Sequence, residues 1–217
     1  ATAYLRYFST LLLTSPLTPK AQRMILTVFN QKGGVGKSTL AVCLADVFNN
    51  SAPTCLIDLD KQGTISHLGN LPDFPLSIRQ IEQIEDLQNL EEKIKIVDCP
   101  PYYHSDTARL FAISDFILIP TKAGYSDFFS LSDTADKIKQ SGTKAGVVIN
   151  MIKARSGLTH EVEPLIEKLE LTVLQTQIRD RVGYGRALVM GSVYGLDKKA
   201  AHEITELTNE IMIQLTH

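Results

Sequence analysis

Asn30-Gln31-Lys32-Gly33-Gly34-Val35-Gly36-Lys37-Ser38-Thr39 is the stretch around which the 217-residue chain is organised. An apolar run, Met24-Ile25-Leu26-Thr27-Val28-Phe29, leads into it, and an amphipathic run, Leu40 to Phe48, leads out. Strand, glycine loop and helix in that order are what a phosphate-binding loop requires. Glycines let backbone N–H groups turn inward around phosphate oxygens, and the helix that follows adds its own unpaired N–H groups and positive dipole end. In such a loop Gly33, Gly34, Val35, Gly36 and Thr39 surround the phosphates, Lys37 sits against the β and γ groups, and the Ser38 hydroxyl can ligate Mg²⁺. The usual spacing G-x-x-x-x-G-K-[ST] is broken, because Gln31 stands five residues before Gly36, and a second lysine, Lys32, opens the loop. Lys-Gly-Gly-x-Gly-Lys followed by Ser or Thr arises by chance in a chain of this length with a probability on the order of 10⁻⁵ to 10⁻⁴.

Hydrophobic residues at 44% and charged residues at 21% are ordinary for a globular protein, and the length suits one domain with a substantial core. A net charge of −2 provides no whole-protein field toward nucleic acid, so any such binding needs a local patch. Cys43, Cys55 and Cys99 contain no C-x-x-C pair and read as reduced core thiols of a cytosolic protein, not as a disulfide framework or an iron–sulfur site. His67, His104, His160, His202 and His217 show no metal-ligand spacing. Near the start, Tyr4 to Leu13 is apolar but too short to span a bilayer, and Ser15-Pro16-Leu17-Thr18-Pro19 breaks it. Residues 1–23 therefore read as an N-terminal extension, with a single domain over 24–217.

From Met24 onward, short apolar runs alternate with helical patterns. Strands are expected at 24–29, 54–57, 94–97, 116–119, 145–149 and 172–174, several of them β-branched and apolar throughout, as strands covered on both faces should be. Helices are expected where Ile78, Ile81, Ile84 and Leu87 recur every third residue, from Phe128 to Gln140 and from Glu161 to Glu170. A last helix places Ala201, Ile204, Leu207 (or Thr208), Ile211 and Leu215 on one face. The alternation predicts an α/β domain with a mostly parallel sheet flanked by helices on both faces. Ligands of such sheets sit at the carboxyl ends of the strands, where the polar motifs fall. Asp58-Leu59-Asp60-Lys61-Gln62-Gly63 follows the second strand, and two carboxylates one residue apart point the same way on an extended chain; capping of the next helix is the alternative. Ile96-Val97-Asp98-Cys99-Pro100-Pro101 ends the third strand with one carboxylate at its tip, suited to a Mg²⁺-bound water. Asn150 closes a later strand, either as a turn former or as an amide able to bond a nucleobase.

The loop with its extra lysine, the Asp58/Asp60 pair and the Asp98 strand tip resemble, in that order, the ParA/MinD family of ATPases over residues 24 to about 212. The resemblance implies a P-loop NTPase fold, ATP/ADP and Mg²⁺ as ligands, and slow, partner-stimulated hydrolysis. It implies an ATP-dependent homodimer, with filaments left open, in which Lys32 reaches across to the partner's ATP. Asp60 then orients the attacking water and Asp58 supports the Mg²⁺ shell with Ser38 and Asp98. Lys61 stands where the family's D-x-D-P-Q switch has proline. Asn150 matches the adenine-bonding position. The stretch Gly191-Ser192-Val193-Tyr194-Gly195 ahead of the final helix is similar to the "GxSVY" element of small ParF-type partition ATPases.

Arg179, Arg181, Arg186, Lys198 and Lys199, with Lys153 and Arg155 nearby, match the family's surface for nonspecific DNA; a solvated face paired with Glu203, Glu206 and Glu210 is the alternative. Arg179 is also a candidate contact to the nucleotide. The implied job is plasmid or chromosome segregation with a centromere-binding adaptor, in the cytoplasm and on the nucleoid. Positioning of a protein cargo and a non-catalytic nucleotide-gated scaffold are the rivals. A membrane switch is not expected, since no Lys or Arg follows Lys199 to form a basic amphipathic tail.

Overall fold

Both faces of one parallel sheet are buried, and this explains the unbroken apolar strands. The computed structural model describes residues 23–60, 63–154 and 157–216. The expected extension up to residue 22, Lys61 and Gln62 of the first switch, and Arg155 lie outside the described residues. The strands are β1 (Met24–Val28), β2 (Thr54–Asp58), β3 (Ser77–Arg79), β4 (Ile94–Asp98), β5 (Phe116–Lys122), β6 (Ala145–Asn150) and β7 (Thr172–Val173). They pair in parallel throughout in the order β3-β2-β4-β1-β5-β6-β7. The helices are α1 (Lys37–Asn49), α2 (Thr64–Leu68), α3 (Ser105–Ile113), α4 (Tyr125–Ser141), α5 (Leu158–Glu167), α6 (Val182–Met190) and α7 (Lys198–Thr216), with a 3₁₀ turn at Ile84–Gln88.

Alternation along each strand divides the core in two. Leu26, Val28, Leu56, Ile96 and Leu118 pack under α1, α6 and α7, against Leu40, Leu44, Phe48, Ala187, Ile204 and Leu207. Ile25, Phe29, Ile57, Val97, Ile117 and Ile119 face the other way, onto Leu110 and Phe111 of α3, Leu131 and Ile138 of α4, and Val162 and Ile166 of α5. The expected doubly covered sheet is what the chain forms. One segment differs: the Ile78–Leu87 run is not a helix. Ile78 lies in β3, Ile81 in a loop, and Ile84 and Leu87 in the 3₁₀ turn. A three-residue period matches the 3.0 residues per turn of a 3₁₀ helix better than the 3.6 of an α-helix.

The topology also sets the site. β1 lies between β4 and β5, so the loop after it leaves from the middle of the sheet's carboxyl edge. In register, Val28 pairs with Asp98 and Asp98 with Asp58, which puts both acidic motifs beside that loop.

Candidate functional site

The loop is fixed at both ends. Asn30, buried, donates from Nδ2 to the Pro120 carbonyl at the end of β5 (2.8 Å), and its Oδ1 accepts from the Lys32 N–H (2.9 Å). Asn150, at the end of β6, donates from Nδ2 to the Val35 carbonyl (2.7 Å) and accepts at Oδ1 from the Met151 N–H (2.8 Å). Both ends of the Asn150 amide thus engage backbone, so the residue read as a turn former or a base contact braces the phosphate loop. Gly34 (φ 69°) and Gly36 (φ 91°) turn the chain through the left-handed region that glycine tolerates. A Cβ on Gly36 would lie 2.4 Å from Asn150 Nδ2, so the brace depends on its absence. Gly36→Ala is expected to weaken nucleotide binding by about 100-fold, combining left-handed strain of roughly 1–3 kcal/mol with loss of the brace. Calorimetric titration with ATP checks this.

Lys37 is buried, and its Nζ donates to the Lys32 carbonyl (3.1 Å). Burial pulls its ammonium below the usual lysine range, against the upward pull of Asp98 and Asp60. Lys32 takes a different course: its Nζ donates to Ser126 Oγ (2.9 Å) and pairs with Asp127 Oδ1 (3.1 Å), both on the first turn of α4.

Asp98 is the group that calls for a cation. It is 1% exposed, and neither carboxylate oxygen has a hydrogen-bond partner of normal geometry. Burial pushes its pKa up to about 7, Asp58 and Asp60 push the same way, and the neighbouring Ser38 hydroxyl and Lys37 pull it down. A buried carboxylate without a partner beside a serine hydroxyl suits Mg²⁺. Among the described residues no cluster of three or more His, Cys, Asp or Glu forms a ready-made metal cage. Mg²⁺ does not need one, since it is commonly held by one or two carboxylates, waters and substrate phosphates.

Asp58 Oδ1 accepts from the Asp60 N–H (3.0 Å) and Oδ2 from the Ser66 N–H (2.9 Å) in the first turn of α2. The helix-capping alternative therefore describes Asp58, and through it the turn carrying Asp60 is held in place. Asp60 and Asp98 both act on the Lys37 ammonium, so the three charges share one centre.

Beside the loop, a cleft of about 720 Å³ is lined by Thr39, Asn150, Arg179, Arg181, Arg186 and Met190, among others. Arg181 is not a free cation: its Nε (3.0 Å) and Nη2 (2.6 Å) both donate to Glu203 Oε1. Glu203 also accepts from the Tyr184 hydroxyl (2.8 Å) and the Arg179 N–H (3.3 Å). For Arg181 the paired-face alternative is the arrangement found. Arg179, Arg186, Lys198 and Lys199 are exposed. Val193 of the Gly191–Gly195 element is buried, and Ser192 Oγ bonds Asp46 Oδ2 of α1 (2.6 Å), fixing the lead-in to α7.

The sequence reading gave no role to Asn30, Ser126 or Asp127. Asn30 carries a local signal, an Asn bonding the backbone two residues on. The other two act across tertiary contacts that no local pattern marks.

Residues 26–192 match the family model described as CobQ/CobB/MinD/ParA nucleotide binding domain. The chain is 31% identical over 206 residues to Maintenance of carboxysome distribution protein A of Halothiobacillus neapolitanus, covering 86% of this chain and 95% of that protein. It is 26% identical over 193 residues to the chromosome partitioning protein ParA of Myxococcus xanthus, covering 64% and 68%. Among solved structures, an ATP complex of Cyanothece McdA superposes with a TM-score of 0.72 at 17% identity, over 88% of this chain and 96% of that one. A loop with the family's two lysines, set in the family's fold and matched by its model over most of the domain, leads to one assignment: the chain belongs to the CobQ/CobB/MinD/ParA family of nucleotide-binding domains.

Proposed function

We propose that the chain is a Mg²⁺-dependent ATPase that moves or spaces a cargo over DNA, dimerising face to face on ATP and separating on hydrolysis. The observation that carries this reading is the buried Asp98 carboxylate, with the Ser38 hydroxyl as its neighbour and no bond of normal geometry to either oxygen, at the mouth of a loop bearing two lysines. Backbone N–H groups of residues 33–39 and the Lys37 ammonium hold the phosphates, and Ser38 and Asp98 hold the metal and its waters. Mg²⁺ held there would supply charge neutralisation to the terminal phosphates. Asp60 orients the attacking water, and Asp58 positions Asp60 by holding its N–H. Lys32 lends its charge to the partner's γ-phosphate. Arg179 and the Asn150 side of the cleft accommodate the base. Loss of the γ-phosphate frees the switches that it ordered, so hydrolysis acts as a timer.

DNA binding in this reading falls to Arg179, Arg186, Lys198 and Lys199. The two lysines open α7, where Asp197 Oδ1 already accepts from the Lys199 N–H (2.9 Å) and the Ala200 N–H (3.1 Å), so the phosphate donors there are the exposed ammonium groups and not the helix N–H groups. Removing Lys198 and Lys199 together is expected to lower the slope of log affinity against log salt by about 1.8 per protomer on duplex DNA. Arg181→Ala should leave that slope almost unchanged, because Glu203 already neutralises it. Filter binding or anisotropy from low to moderate salt checks both, and a salt-independent affinity would remove DNA from the reading.

Segregation of a plasmid or chromosome, on the nucleoid and with a centromere-binding adaptor, is the first reading of the cargo. A protein assembly as cargo is a second, favoured by the 31% identity to a carboxysome distribution protein over 95% of that protein's length. Turnover with Mg²⁺, then with DNA, then with the protein encoded next door tests the whole. Stimulation by a neighbour that binds a DNA site supports the first, and by one that binds a protein assembly the second. No Mg²⁺-dependent turnover under any of these conditions would leave a nucleotide-gated scaffold. Among the described residues no helix is long and apolar enough to cross a membrane.

A further inference from the structure

Lys32, the residue assigned above to a partner's nucleotide, is engaged within its own chain. Its Nζ lies 2.9 Å from Ser126 Oγ and 3.1 Å from Asp127 Oδ1. The Asp127 side chain is 8% exposed and that of Lys32 30%, so this ion pair is less screened than one standing fully in water. Asp127 is third in α4, where the helix dipole favours a carboxylate, and its N–H donates to the Gly124 carbonyl (3.0 Å). Gly124 leaves the room this needs, since a Cβ there would stand 3.0 Å from Asp127 Oδ2. The two partners also share a support. Asn30 ties the root of the loop to Pro120 in β5, the strand that leads directly into α4, so lysine and carboxylate are held in reach of each other without any nucleotide.

We propose that Asp127, assisted by Ser126, is a positioning residue that docks Lys32 on its own protomer and competes with the partner's triphosphate for it. The proposal rests on the dimer reading above. Each closing dimer must then break two such ion pairs, one per protomer, and the family's extra lysine is withheld until an opposing nucleotide outbids the carboxylate.

Asp127→Asn keeps the shape and the helix start but removes the charge. With a non-hydrolysable ATP analogue, sedimentation should report a dimer dissociation constant about tenfold lower than wild type, roughly threefold for each of the two lysines released. ADP affinity, which reads the monomer's own loop, should not change. In the nucleotide-free protein, acylation of the Lys32 amine, followed by peptide mass, should be several-fold faster in Asp127→Asn. Should that variant fail to fold, Ser126→Ala provides the same test, with smaller shifts in the same directions. An unchanged or weakened dimer would overturn the proposal, since Asp127 would then be neutral or would hold Lys32 in its working pose. If wild type forms no dimer on the analogue, the dimer reading fails, while the labelling still decides the docking: equal Lys32 rates in the two proteins would overturn it.

Discussion

Lys32→Ala is expected to bind ATP close to wild-type affinity, remain monomeric by light scattering on a non-hydrolysable analogue, and lose turnover by on the order of 10³-fold. The size follows from the role. A cation supplied in trans against a transferring phosphoryl group is worth about 10³ to 10⁵ in rate where it has been removed. ATP affinity should survive because Lys37, the loop N–H groups, Ser38 and Asp98 all belong to the same chain. Truncation also leaves the mostly buried Asp127 carboxylate without its ion pair, at a cost of roughly 1–3 kcal/mol in folding stability. Thermal unfolding should therefore show a lower Tm for Lys32→Ala, largely restored when Asp127→Asn is added, with turnover still low. Normal ATP-dependent dimers in Lys32→Ala would refute the trans role outright.

Asp60→Ala should retain ATP and its dimer yet lose turnover by about 10² to 10⁴-fold, the range for a positioned group that handles the attacking water's proton. Its placement supports that role. The Asp60 N–H is held by Asp58 Oδ1, Asp58 is held by the start of α2, and Asp60 acts on the same ammonium, Lys37, that Asp98 does. Asp58→Asn should give a smaller loss, because the amide oxygen can still accept one of the two backbone N–H groups. Steady-state phosphate release and sedimentation on the same samples separate catalysis from assembly. Unchanged turnover in Asp60→Ala would favour the nucleotide-gated scaffold over the enzyme.

The fold was legible wherever burial left a periodic trace. β1, β2, β4, β5, β6 and β7 each lie within or overlap an apolar run, since helices cover both faces of the sheet. β3 left no such trace: it has three residues, none fully buried, at a sheet edge, and its isoleucine joins others at a spacing that imitates a helix. Around the site, the residue types and their order were readable, because phosphate loops and strand-tip carboxylates are local in sequence. Their partners were not. Asn150 meets Val35, Lys32 meets Asp127 and Arg181 meets Glu203 across folds of the chain that local pattern cannot report. Hence Asn150 stayed open between turn former and base contact, and the basic residues between a DNA surface and a face paired with Glu203, until the loop brace and the Arg181–Glu203 pair were seen in three dimensions.

The central place of β1 has a consequence for how the protein is made. The strand emerges from the ribosome before both neighbours that hydrogen-bond to it, β4 and β5. At roughly 5–20 residues per second the nascent chain carries a bare apolar strand for an interval on the order of seconds, the kind of surface that holding chaperones cover. The phosphate loop must wait still longer: Asn30 needs Pro120, and Val35 needs Asn150. A product that stops before Pro120 thus lacks both clamps that shape the nucleotide cradle.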